Sequence, residues 1–392
     1  MPGVTVKMDM WATAASLVVG FLSVGWWSSL GDRRGRKSVL GISILGALFR
    51  DLIYLVVART DFQKDGVSVA LIVDGLLGGF STFNGVAYAY VSDVSTSSLS
   101  RTVNFGLLQA VAFISFRAGA FLGLVSGPAD STAGFAGSVF LGCYNLVYIY
   151  VLLPESLVQP DAEQQQKSTL QYIFSTISVF QETGRKQLVL LASSIFLYSC
   201  ASAFGVKMEM FTSDKGYFAS ISKTLLLIIP SAIALVTWLG ILPALAVLYS
   251  RQSSPATEES GALFAKSVAQ NSLLVAVLCV VDILTFSGTR SGLLYPVAFF
   301  LYPFTVGALP ALFSQTASYF IDRARGSQLG LLFGALAFAV SLGEFTSFYN
   351  LPEGVYGFSY DLEWAATFLV TAVLLLVLAD GPRTHTGVGV LG

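Results

Sequence analysis

Charge is scarce in this chain. Asp, Glu, Lys and Arg together make up 11% of its 392 residues, against about a quarter in ordinary soluble domains. With 54% of the residues hydrophobic, the composition excludes a solvated globular fold and implies a polytopic membrane protein whose first partner is the lipid bilayer. The net charge of -1 gives no sign of nucleic acid as a partner, because charges in such a chain are distributed by sidedness and not over a wetted surface. Histidine is nearly absent. The single His385 lies in the C-terminal tail, so Ser-His-Asp chemistry and zinc-protease helices have no imidazole at membrane depth. Cys143, Cys200 and Cys279 stand alone within apolar runs, which suggests neither a disulfide framework nor a paired-cysteine metal site. No cofactor and no metal are implied, and an intramembrane enzyme is disfavoured.

Long apolar runs fill the chain instead. Stretches able to cross about 30 Å of hydrocarbon, which takes about 20 helical residues, occur near 10–30, 38–58, 67–92, 102–126 and 131–153. After a polar linker come 188–212, 217–249, 269–287, 292–315, 327–347 and 357–380. The expected fold is all-α, with about 11 transmembrane helices in two bundles. Pro230 and Pro243 predict a kink or a broken span within 217–249, since proline removes a backbone donor and clashes with the preceding turn. The first run is too long for a cleaved signal peptide, and its basic cluster follows the apolar region.

Lysine and arginine fix the expected orientation. One set of loops holds Arg33, Arg34, Arg36, Lys37, Arg101, Lys167, Arg185, Lys186, Arg251, Lys266, Arg323, Arg325 and Arg383, and the other only Lys7, Arg59, Lys64, Lys215 and Arg290. The first set is expected in the cytosol together with the C-terminus. The linker at 154–187 marks the domain boundary between an N-terminal bundle of five helices (1–153) and a C-terminal bundle (188–392). Within it Leu170, Ile173, Phe174, Ile177 and Phe180 recur at helical spacing, as in an amphipathic tether lying at the interface. A faint repeat relates "SDVSTSSLSRTVNFGLLQAVAF" at 92–113 to "SYFIDRARGSQLGLLFGALAF" at 318–338, and two halves of similar design, related by a pseudo-two-fold axis, account for it.

The stretch "WWSSLGDRRGRKSVLG" at 26–41 concentrates charge in a tight turn between two spans. Its spacing of Asp32, Arg33, Gly35, Arg36 and Lys37 closely resembles the loop signature of the major facilitator superfamily. The resemblance implies that these five residues form a charge-relay latch at the cytosolic edge of the N-terminal bundle. Asp93, at the end of the 67–92 span, is the expected partner, and Arg101 joins the same edge. Positive charge alone would serve topology, but topology needs neither an aspartate nor a glycine at fixed places. "LPES" at 153–156 is similar to the family's exit from its first bundle. In the family a further helix precedes the one leading into this loop, whereas only Met1 to Asp9 precede it here, so the first helix is expected to be missing. "GLLGGFSTFNGVAYAYVSD" and "RTVNFGLLQA" are similar to fungal relatives of the proton-coupled folate and tetracycline-exporter branches. That resemblance implies a small-molecule porter and leaves protons open as a second partner.

Ionisable and polar residues inside spans are candidates for a substrate or proton path. Asp74 and Arg117 are placed to meet as a pair, structural or functional. Arg50 and Asp51 read as structural. Glu344 has no basic neighbour in its own span and could titrate. Asn84 and Tyr88, four residues apart, share a helix face, and Tyr198 is a similar candidate in the second half. The expected function is secondary active transport of a small molecule by alternating access, by a monomer in the plasma or vacuolar membrane. The alternative is a non-transporting scaffold or receptor derived from the same fold.

Overall fold

The computed structural model describes residues 10–58, 63–125, 131–157, 180, 185–215, 223–252, 258–286, 294–321, 328–349 and 357–379. The expected amphipathic tether lies outside them, except for Phe180, which packs against the main apolar core. The first half contains α1 (Met10–Arg34), α2 (Arg36–Val57), α3 (Gln63–Leu76), α4 (Gly79–Val94), α5 (Ser98–Val125) and α6 (Ser131–Val147), the last followed by a π-helical turn at Tyr148–Leu152. The second half contains α7 (Arg185–Lys215), α8 (Lys223–Val236), α9 (Leu242–Gln252), α10 (Glu258–Phe286), α11 (Leu294–Leu301), α12 (Ala308–Ile321), α13 (Leu329–Tyr349) and α14 (Gly357–Leu378).

Among the described residues, nine helical stretches are long and apolar enough to cross a membrane, and two shorter apolar ones, Lys186–Ser202 and Trp364–Leu378, occupy the positions of the 188–212 and 357–380 runs. Three spans have a defect with a local cause. The 217–249 run is a single helical path across Pro230, with a π-helical turn at Thr237–Ile241 ahead of Pro243. Pro243 cannot donate to the carbonyl four residues back, and the wider turn accommodates that loss. A 3-10 segment at Tyr302–Gly307, with proline in its first turn, joins α11 to α12. The span Gly66–Val94 breaks between α3 and α4, where Gly78 has φ 102° and Gly79 φ 56°. The carbonyls released there are not orphaned: Ser23 Oγ donates to Gly75 O at 2.6 Å and Trp27 Nε1 to Leu76 O at 2.9 Å.

Within the first half α2 packs against α3, α4 and α6, and α1 against α3 and α4. Within the second, α7 lies against α13 and α14, and α10 against α12 and α14. The halves are joined by α13, which lies on α1 and α4, and by α5, which lies on α10, α12, the π-helical turn at Thr237–Ile241 and α9. The α4–α13 crossing is a backbone contact, for a Cβ added at Gly85 would stand 2.6 Å from Gly334 Cα. The largest buried apolar cluster spans both halves, with Tyr88 and Phe105 from the first and Phe313 and Phe333 from the second.

Candidate functional site

The turn between α1 and α2 is built around Gly35, whose φ of 108° is open to glycine and strained for other residues. Its missing side chain also makes room for a neighbour. Glu155, from the segment after α6, lies against Gly35 and accepts the free N–H groups of Arg36 at 2.8 Å and Lys37 at 3.1 Å. It thereby caps α2 with a negative charge at the positive end of the helix dipole. Lys37 Nζ donates to Tyr150 O at 2.9 Å, and Tyr90 Oη to Pro154 O at 3.0 Å. The 150–155 segment is thus tied both to the turn and to α4.

Arg36 is fully buried. Its guanidinium binds Asp32 one turn earlier on α1 and, through Nε, Asp93 Oδ2 on α4 at 3.0 Å. Ser156 Oγ donates to the same Asp93 oxygen at 3.2 Å. The second role of Asp32 reaches across the halves: its carboxylate accepts the N–H of Gly330 at 2.8 Å and of Leu331 at 3.0 Å. These are the first turn of α13, where backbone donors have no partner within the helix. Arg33 is half-buried and Arg34 exposed on the flank of the turn.

A second carboxylate does the same at the other junction. Glu258, the first residue of α10, accepts the N–H of Ser98 at the start of α5 at 2.9 Å and binds Arg101 Nη1 at 2.8 Å. Arg101 also donates to Ser318 Oγ at 3.1 Å. A seam of hydroxyls continues from this contact: Ser98 Oγ lies 2.7 Å from Ser318 Oγ, and Thr102 Oγ1 donates to Ser314 Oγ at 2.7 Å. The helices capped across the halves, α5 and α13, are the two that the faint sequence repeat relates. Glu258, Glu155 and the serine seam were not among the residues expected from sequence. An acid opening α10 in "EESGALF" was the available signal for Glu258, but its partner lies 160 residues away.

Toward the end of the molecule opposite this turn, a cavity of about 380 Å³ opens among α1, the α3–α4 break and α13, with Thr13, Ser16, Asp74, Phe80, Glu344 and Phe345 in its wall. Ser81 Oγ donates to Ser341 Oγ at 2.9 Å across its edge. Glu344 is exposed at this opening. The expected Asp74–Arg117 pair does not form. Asp74 is bound instead by Arg50 Nη1 at 3.0 Å, and Arg50 Nε holds Asp51 at 3.0 Å, with Ser138 Oγ donating to Asp51. The reason is topological: α3 returns along α2, which carries Arg50, whereas α5 turns away to pack on the second half. Arg117 is half-buried, with its guanidinium carbon 5.1 Å from the centre of the Phe113 ring. Arg50 and Asp51 pair with each other, and the same Arg50 guanidinium also holds Asp74.

Tyr88, Asn84 and Tyr198 do not line this cavity. Tyr88 is buried, receives a hydrogen bond from Gln109 and stacks on Phe313 at 4.4 Å between ring centres. Asn84 is half-buried on the same helix. Tyr198 is buried and donates to Thr305 O at 3.2 Å.

The family model described as Major Facilitator Superfamily matches residues 3–345. Among curated proteins, the lysosomal proton-coupled steroid conjugate and bile acid symporter of Gallus gallus is 25% identical over 208 residues, covering 49% of this chain and 42% of that protein. An MFS-type transporter of Aspergillus versicolor is 31% identical over 153 residues, covering 38% of this chain and 29% of its own length. This chain therefore spans less than half the length of either relative. Among solved structures, the proton:xylose symporter XylE superposes with a TM-score of 0.62 at 11% identity, over 94% of this chain and 85% of that one. That likeness in fold, the charged turn at 32–37 and a family match over most of the sequence place the chain in the major facilitator superfamily.

Proposed function

We propose that the chain is a secondary transporter that carries a small molecule across its membrane by alternating access, and that Asp32 and Glu258 are the paired closures of its cytosolic gate. The observation supporting this reading is the doubled geometry. In each half a carboxylate at a helix end caps the first turn of a helix in the other half, α13 for Asp32 and α5 for Glu258. Such caps hold the halves together at one end only, while a cavity opens at the other. The excess of lysine and arginine at the closed end favours the cytosol for that face. In this reading Arg36 and Asp93 orient Asp32, Arg101 orients Glu258, and Gly35, Arg33 and Lys37 shape and flank the turn. The linker at 154–187 joins the two halves.

The relatives include symporters whose names specify coupling to protons and cargo of steroid conjugates and bile acids. Proton coupling in this chain would fall to the carboxylates facing the cavity, Glu344 and Asp74. The gate is tested by measuring spin-label distances between the cytosolic ends of the two halves. Asp32→Asn and Glu258→Gln should each lengthen the distribution, and the double variant should lengthen it further, because the two closures share no partner. Unchanged distances in both single variants would leave the charged turn as a topology signal in a membrane protein that does not alternate.

A further inference from the structure

The cavity wall has an electrostatic character that the family match does not supply. Two carboxylates face it, those of Asp74 and Glu344, and among its described lining residues there is no lysine, arginine or histidine. Asp74 is paired from behind with Arg50 at 3.0 Å, which also binds Asp51 at 3.0 Å. Glu344 forms no ion pair or hydrogen bond with the described residues and stands exposed at the opening. One opposing contribution exists: the first turn of α4, at Gly79 to Ser81, also lines the cavity and presents the positive end of a helix dipole, roughly half a charge. It lies beside Asp74, so Glu344 remains the exposed carboxylate with no ion-pair partner among the described residues. The rest of the wall is aromatic and small, with Phe80, Phe338 and Phe345 around glycines and hydroxyls. A volume of about 380 Å³ falls within the range of sites that enclose a drug-sized ligand.

We propose that this cavity receives an amphipathic organic cation, whose positive centre pairs with Glu344 and whose rings lie against Phe80, Phe338 and Phe345. The chemistry is complementary at both ends. A cation relieves the exposed carboxylate of its lack of a partner, and aromatic faces attract positive charge as well as apolar surface. An organic anion of the same size would meet like charge, with no basic side chain among the described wall residues to hold it. The inference rests on the transport reading above and names the class of cargo.

The test uses two probes of matched shape and opposite sign, each measured separately: tetraphenylphosphonium and tetraphenylborate. Equilibrium dialysis against the purified full chain in detergent, corrected with empty micelles, should show saturable binding of the phosphonium and none of the borate above the micelle background. Glu344→Gln should weaken phosphonium binding at least tenfold, while Glu344→Asp, which keeps the charge, should stay within about threefold. Symmetric elution of each variant on size exclusion establishes that it is folded. Borate binding as tight as phosphonium binding, or an unchanged affinity in Glu344→Gln, would overturn the proposal. A failure confined to these measurements leaves the cytosolic gate standing, because the distance measurements involve neither probe nor Glu344. A failure of the distance measurements alone would leave a cation site in a protein that does not alternate.

Discussion

Asp32 serves two partners with one carboxylate, and they differ in what they report. Its bond to Arg36 lies within the first half, whereas its bonds to Gly330 and Leu331 cross to the second. Among the described residues, the carboxylate of Asp93 bonds to Arg36 and Ser156. Asp32→Asn removes the charge from the crossing bonds and leaves one oxygen to accept. A charge-assisted bond contributes about 1.5–3 kcal/mol, so a loss of about 2 kcal/mol should shift the closed population roughly 30-fold. Asp93→Asn acts only through the orientation of Arg36 and should shift it less. The turn was legible in sequence because its signature is local, five residues within six positions. The interior pair was misread because helical spacing does not say which neighbour a helix turns toward. The corrected pair makes its own prediction, since removing one partner leaves a lone charge in a low-dielectric interior. Arg50→Leu should reduce the yield of folded protein, and Arg50→Leu with Asp74→Asn should recover part of it. Fluorescence-detected size exclusion of the three proteins would measure both effects, and equal yields would show that Arg50 and Asp74 do not depend on each other.

Among the elements, α4 and α13 carry a backbone-to-backbone contact between the halves. Gly85 meets Gly334 backbone to backbone, and small residues at helix crossings in membranes serve such approaches. A methyl group at Gly85 meets main chain that cannot rotate away, so the helices must separate. Overpacking of this kind costs about 1–3 kcal/mol, and the cost falls on the conformation in which the two helices touch. Gly85→Ala should therefore lengthen the same cytosolic distances as Asp32→Asn while every charged group stays in place. Unchanged distances would mean that the crossing is not specific to the closed state. The spans themselves were readable from apolar length, and Pro230 and Pro243 pointed to the irregular helix that contains the π turn. The break at Gly78 and Gly79 lay hidden within a continuous apolar run, "GLLGGF", because a glycine pair in a membrane helix reads equally well as a packing surface.

At the scale of the whole molecule, the two halves meet through α13 on one side and α5 on the other, and the sequence repeat pointed to these two helices without revealing what each one touches. Partners 160 and 298 residues apart in the chain leave no spacing to read. Topology is more accessible, because it follows from a one-dimensional distribution of charge. Single cysteines placed at 30–37 and in the 154–187 linker should react with an impermeant maleimide only from the cytosolic face, and labelling from opposite faces would overturn the orientation. A final consequence follows from the hydroxyl seam between Ser98, Thr102, Ser314 and Ser318. Each of its bonds joins two groups that water can satisfy equally well, so parting the seam hydrates it in place of leaving raw donors and acceptors. In the proposed cycle, opening would consume water, and its equilibrium should depend on osmotic pressure. An excluded osmolyte such as a large polyethylene glycol should draw the molecule toward the closed form, with the logarithm of the open-to-closed ratio falling linearly as osmolality rises. The slope would count the waters that enter the seam, and a slope of zero would describe a gate that opens dry.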